Sequence, residues 1–134
     1  MKFFIDHNLP PRLARAINEL CGEDHLVIHL KERFDQSTPD VEWIRTLASE
    51  GGWIVITQDR LKKADHEKEA IRRSGLILFN LDKQWAKAEF WDKSHRLVQW
   101  WPYIIEQAER ISGGAAFRVR WRMGGKATFE QSKL

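Results

Sequence analysis

Cysteine is nearly missing from this chain. Cys21 stands alone, so no disulfide can staple the fold, and a reducing, cytoplasmic setting is the expectation. No His–Cys signature surrounds Cys21; near the end of an amphipathic stretch it reads as a half-buried structural thiol. No apolar run approaches the roughly 20 residues that a bilayer requires, so no membrane partner is expected. Asp6 interrupts Phe3-Phe4-Ile5 before an h-region can form, which argues against a signal peptide. The chain holds no Walker loop and no G-x-G-x-x-G, so nucleotide cofactors are not expected. It holds no G-x-S-x-G for a nucleophile elbow. Neither H-E-x-x-H nor a Cys/His ligand spacing is present, which leaves zinc hydrolysis unsupported. Internal repeats and low-complexity segments are also missing.

What is present fits one domain able to bury its own core, at 134 residues. The formal net charge of +3 is unevenly placed. Through Glu109 acids slightly outnumber bases. Beyond it stand Arg110, Arg118, Arg120, Arg122, Lys126 and Lys133 against Glu130 alone. A basic tail suits nucleic-acid phosphates, and it equally suits a solvated strand with a frayed end.

The hydrophobic pattern alternates between strand and helix. Lys2–Asp6 reads as a strand; Pro10-Pro11 opens a helix with Leu13, Ala16, Ile17 and Leu20 on its apolar face, stopped by Gly22. His25–Leu30 is a second strand and 31–37 a polar loop. Thr38-Pro39-Asp40 starts a helix with a hydroxyl cap, a proline and a first-turn acid; Ile44, Leu47 and Ala48 carry its apolar face to Gly51-Gly52. Trp53–Thr57 is the third strand. A charged connection over 60–65, a helix over 66–73 and a fourth strand at Leu76–Leu81 follow. This order predicts an α/β fold with a parallel sheet and right-handed crossovers. Ala86–Ile111 reads as one long Trp-rich helix, with a possible bend at Pro102. Ala116–Trp121 alternates as a strand, with Arg118, Arg120 and Arg122 on one side. After Gly124-Gly125 the chain is expected to be loosely held. Residues 1–112 would form the main domain and 113–134 a basic strand and tail.

Three acids stand where strands end or helices begin: Asp6, Asp40 and Asp59. Chemistry in open α/β sheets collects beyond the carboxyl ends of the strands. Carboxylates gathered there repel one another unless a hard cation lies between them, and oxygen ligands favour Mg²⁺ or Mn²⁺. Each acid also has a plain structural reading. Asp6 would cap the helix opened by Pro10, worth about 1 kcal/mol; Asp40 would complement a helix dipole. Asp59 follows Thr57, whose hydroxyl can hold the turn or a carboxylate. Glu42 would point about 160° from Asp40 on an ideal helix, so Asp40 is preferred. His7 is a proton-donor or outer-shell candidate whose ordinary reading is a surface histidine. Asn8 precedes the prolines beside it. Glu67 is a fourth-carboxylate candidate whose ordinary reading is a first-turn acid. Arg60, Arg118 and Arg120 are candidates for holding an RNA backbone. Trp43 and Trp53 are assigned to the core, and Trp85, Trp91, Trp100 and Trp101 to stapling the long helix. Trp121, beside the arginines, is the better candidate for stacking on bases.

Three runs carry a family resemblance: Phe3-Phe4-Ile5-Asp6-His7-Asn8-Leu9-Pro10-Pro11, Pro39-Asp40-Val41-Glu42-Trp43-Ile44 and Val55-Ile56-Thr57-Gln58-Asp59. Together they resemble the PIN-like nucleases, most nearly the short bacterial proteins grouped with VapC-type toxins. His66-Glu67, Phe90-Trp91 and Val98-Gln99-Trp100-Trp101-Pro102 are similar to that subgroup's tail. The resemblance implies a three-layer fold about a parallel sheet, with Asp6, Asp40 and Asp59 as metal-holding catalytic acids and Mg²⁺ or Mn²⁺ as cofactor. It implies cleavage of single-stranded RNA and a small antitoxin covering the site. Two departures stand out. A mid-domain glutamate common in such toxins is missing, and His7 occupies a position where many relatives carry an acid. The expectation is a metal-dependent endoribonuclease, the toxin of a toxin–antitoxin pair. Set against it is a non-catalytic RNA- or protein-binding module on a degenerate PIN-like scaffold, and more weakly a metal-dependent phosphatase. The apolar load of the long helix permits a homodimer.

Overall fold

A computed structural model of the chain describes residues 1–58, 65–125 and 127–132, with backbone alone at 65–68 and 70. Its centre is a six-stranded sheet. In chain order the strands are β1 (Lys2–Ile5), β2 (Leu26–His29), β3 (Trp53–Thr57), β4 (Ile77–Leu81), β5 (Ala115–Val119) and β6 (Glu130–Ser132), and in space they run β2-β1-β3-β4-β5-β6. The first five are parallel, and β6 closes the edge antiparallel to β5. Helices α1 (Pro11–Cys21), α2 (Asp40–Glu50), α3 (Asp65–Ser74), α4 (Lys83–Ala86) and α5 (Phe90–Glu109) make the connections, with a short 3-10 turn at Leu30–Glu32. No helix among the described residues is long and apolar enough to cross a membrane.

Strand alternation sorts the core into two layers. Phe3, Ile5, Ile56, Phe79 and Phe117 face α1 and α5, where Leu13, Ile17, Leu97, Trp100 and Ile104 meet them. Phe4, Val55, Leu78 and Ala116 face α2 and α3, against Trp43, Ile44, Leu47 and Ile71. Phe4 stacks on Trp43 at 5.2 Å between centroids, and Phe3 leans on Trp101 at 4.9 Å.

Several expectations need correction. The buried face of α1 is Leu13, Ala14 and Ile17; Leu20 is 69% exposed and Ala16 is also exposed. Thr38 does not cap α2. The helix begins at Asp40 with extended Pro39 before it and no side-chain cap, since a residue preceding proline is held away from helical geometry. The long helix spans Phe90–Glu109, and Ala86 belongs instead to a separate short helix, α4. Asp82 caps α4 by accepting from the Gln84 N–H at 3.1 Å, and the chain turns again before Phe90. Trp85 is thereby fully buried, its indole N–H donating to Val119 O at 3.1 Å. Helix α5 then runs through Pro102. Trp91 staples nothing to the sheet: it is 81% exposed. Residues 129–132 are anchored, for β6 pairs with β5 and Phe129 packs on Phe79 and Trp100. The basic strand is therefore an inner strand of the sheet, between β4 and β6.

Candidate functional site

Asp6 follows the last residue of β1 and is fully buried. It caps no helix; the residue flanking α1 is Pro10, with no side-chain cap. Its carboxylate is held from two sides instead. Oδ2 accepts from the Thr57 hydroxyl at 2.8 Å. Oδ1 accepts from the His7 backbone N–H and from His7 Nδ1, each at 2.6 Å. Donation to a carboxylate places the His7 proton on Nδ1 and leaves Nε2 on the outer side of a ring that is 40% exposed. His7 is thus a direct partner of Asp6 and not merely a surface residue. Among the described residues its partners are these hydrogen-bond donors, which offset the cost of burying a carboxylate.

Asp40 is the first residue of α2, whose start follows the loop leaving the carboxyl end of β2. Its Oδ1 accepts from the Trp43 indole N–H at 3.0 Å, which ties it to the core tryptophan stacked on Phe4. Glu42 is exposed in the first turn of the same helix, and Asn8 is half-buried in the turn after Asp6. Asp59 and Arg60 lie outside the described residues. Glu67 falls within α3, its side chain outside that description. Among the described residues no group of three or more His, Cys, Asp or Glu side chains is gathered to hold a metal ion. The donors fit a hard divalent ion in kind: a rigid carboxylate oriented by a hydroxyl and an imidazole is how ligating acids are commonly supported.

Arg118 lies near the end of β5 and Arg120 just beyond it. Both approach Glu130, with Arg120 Nη2 at 3.1 Å and Arg118 Nη1 at 3.9 Å. Trp121 is half-buried, edge-on to Trp85 at 5.0 Å, with the Arg96 guanidinium 4.6 Å from its ring centre. Its ring already has partners on two sides.

Three features escaped the sequence reading. Thr57 serves Asp6, a residue 51 positions away, which becomes legible only once β1 and β3 are known to be neighbours. His29, fully buried at the end of β2, donates from Nε2 to Leu9 O at 2.6 Å and accepts the Lys31 N–H on Nδ1 at 3.0 Å. Burial holds its pKa below the usual value. Glu50 pairs with Arg33 and accepts from the Trp53 indole at 2.8 Å; the arginine first and the indole second pull its pKa to about 2. Cys21 is half-buried, and burial pushes its thiol pKa up, so an activated thiolate is not favoured.

Residues 1–83 match the PIN-like domain family. The chain belongs to that family. No curated protein and no solved structure matches it. PIN-like domains are usually nucleases and generally use divalent metals. The matched stretch holds Asp6, Asp40 and Asp59 and stops at Lys83, so α5, β5, β6, Arg118 and Arg120 lie beyond it.

Proposed function

We propose that this PIN-like chain is a metal-dependent endoribonuclease that cleaves single-stranded RNA in the cytoplasm, as the VapC-like toxin of a toxin–antitoxin pair with a small antitoxin covering the site. The observation that carries the reading is Asp6, a fully buried acid at a strand's carboxyl end, fixed by Thr57 and His7 and free of any capping role. Asp6, Asp40 and Asp59 would hold Mg²⁺ or Mn²⁺. When bound, the ion supplies Lewis-acid polarisation of the phosphate and a more acidic water. His7 keeps the Asp6 carboxylate oriented and presents Nε2 toward solvent as a proton carrier. Arg60, Arg118 and Arg120 would engage the RNA backbone.

The test is turnover of a labelled single-stranded RNA with Mn²⁺, set against EDTA. Asp6→Asn and Asp59→Asn should each cut the rate by about 10²–10³-fold, the scale of losing one charge-stabilising group, with unchanged circular dichroism. Parental rates in Asp59→Asn, or full turnover in EDTA, would overturn the assignment. A second reading, a non-catalytic binding module, draws on the engagement of both Asp6 oxygens. It expects salt-sensitive RNA binding with no turnover.

A further inference from the structure

The register of the sheet lines up one polar residue per strand. Ile5 pairs with Ile56, so Asp6 stands beside Thr57; Thr57 pairs with Asn80, and Asn80 with Arg118. These four sit on the α2/α3 face, one step beyond the apolar row Phe4, Val55, Leu78 and Ala116. Three strand spacings of about 4.8 Å make the row roughly 14 Å long, acidic at one end and basic at the other.

At the basic end a cavity of about 580 Å³ opens, lined by Gln58, Asn80, Asp82, Lys83, Lys87 and Arg118. That volume suits a small organic ligand. The carboxylate in its wall is already engaged, since Asp82 accepts the Gln84 N–H at 3.1 Å and the Trp121 N–H at 3.2 Å. Glu130 serves Arg118 only at 3.9 Å and Arg120 more closely. The wall therefore carries a surplus of positive charge from Lys83, Lys87 and Arg118. The amide oxygen of Gln58 is buried without a hydrogen-bond partner among the described residues. A buried acceptor without a donor is unfavourable until a ligand N–H meets it. A second depression of about 490 Å³ shares Asp82 and Arg118 and adds Arg120 and Arg122, which extends the basic track.

We propose that this cavity is a nucleotide subsite, in which Lys83, Lys87 and Arg118 take a backbone phosphate of single-stranded RNA and Gln58 accepts an N–H from the edge of its base. The polar row carries the strand from there toward Asp6. The proposal rests on the nuclease reading for its substrate, but binding can be measured apart from cleavage.

The experiment is fluorescence anisotropy of a labelled RNA 12-mer in EDTA, on the full chain carrying Asp6→Asn. Lys83→Ala with Lys87→Ala should weaken binding by about tenfold. It should also lower the slope of log affinity on log salt by about 0.7, the contribution of the one single-strand phosphate that is no longer neutralised. Gln58→Leu should weaken RNA by about fivefold, the scale of one hydrogen bond, and leave inorganic polyphosphate unaffected. Arg110→Ala removes a charge that pairs with Glu106 before β5 begins, and should change neither. Equal weakening by Arg110→Ala, indifference to the lysine pair, or tighter capture of a polyglutamate peptide than of RNA would each overturn the subsite; the last would make the face a protein-docking one. A parent chain that binds RNA through the lysines yet never cuts it with Mn²⁺ sinks the nuclease reading and leaves the subsite standing. One that cuts RNA but ignores the lysine pair does the reverse.

Discussion

On the α1/α5 side of the sheet the apolar rows run to the strand ends, through Ile5, Ile56, Leu81 and Val119. On the α2/α3 side they stop at Phe4, Val55, Leu78 and Ala116, and the next level is Asp6, Thr57, Asn80 and Arg118. The same four strands thus serve two purposes through a two-residue period. One face closes a core, and the other yields its last row to polar groups that a sheet interior would not otherwise hold. Damage to the first face should appear as lost stability with intact activity per folded molecule. Damage to the second should fall on binding or turnover.

The largest expected stability effect is on the closed face. Trp100 is 1% exposed and packs on Phe129 across the sheet edge from α5. Trp100→Ala should cost about 3–5 kcal/mol, a large share of a small domain's stability. Urea unfolding measures it, and RNA affinity at low temperature should stay near the parent's. A loss under about 1 kcal/mol would mean the two faces do not divide the labour in this way.

On the polar face, Thr57→Val keeps the shape and removes the hydroxyl that donates to Asp6 Oδ2. A buried carboxylate oxygen without its donor costs about 1–3 kcal/mol. Turnover should fall further than the fraction folded, because the carboxylate loses an orienting partner. Thr57→Ser, which restores the donor, should recover most of both. If valine and serine behave alike, the hydroxyl is not what holds Asp6.

How much of this was legible beforehand depended on how local the cause was. Trp53–Thr57 was recovered as a strand residue for residue, being an unbroken apolar run with Gly51-Gly52 before it. The parallel α/β plan followed from the alternation of periods. Asp6 and its neighbour His7 stand out by position, but the bond from Thr57 to Asp6 does not, because it depends on strand order. The split between α4 and α5 hinged on one capping acid, Asp82, ahead of a tryptophan-rich stretch that also reads as a single helix. Strand β6 is polar and exposed, so neither hydrophobic period marks it. Gly114 lies between α5 and β5. In the fold a Cβ there would come within 2.5 Å of Ile71 O and 2.6 Å of Arg72 Cα, so it lets β5 pass close to α3. No local pattern encodes that approach.

The closed face holds a buried ionisable group, His29, and it gives the comparison a pH axis. Its imidazole is neutral, with Nε2–H donating to Leu9 O and Nδ1 accepting from Lys31 N–H. Burial, foremost, keeps the folded pKa below 6.5. As pH falls through about 6.5 the unfolded chain takes up a proton that the folded chain refuses. Stability is therefore full above that pH and declines below it, at up to about 1.4 kcal/mol per pH unit for one proton. Urea midpoints from pH 8 to 5 should show the decline, and His29→Gln should flatten it relative to the parent. Parallel curves for the two chains would assign the slope to other histidines.

The smallest expected effect lies at the far end of α2, on the rim of the α2/α3 core. Glu50 is paired with Arg33 and with the Trp53 indole, and its pKa is drawn down to about 2. A carboxylate with a depressed folded pKa contributes stability above its unfolded value near 4.5, and loses that contribution as pH falls toward 2. Both partners are about one-third exposed, at 32% and 34%, so solvent screening keeps the pair to roughly 0.2–1 kcal/mol at neutral pH. Glu50→Gln keeps an acceptor for the indole and removes only the charge. It should therefore lower the urea midpoint slightly at low salt, by less again at 1 M salt, where the screening length is about 3 Å, and by progressively less as the pH falls from about 4.5 through 2. A loss as large as that of Thr57→Val would mean this corner is a third structural centre, and the contrast between the two faces would no longer describe where the fold is held.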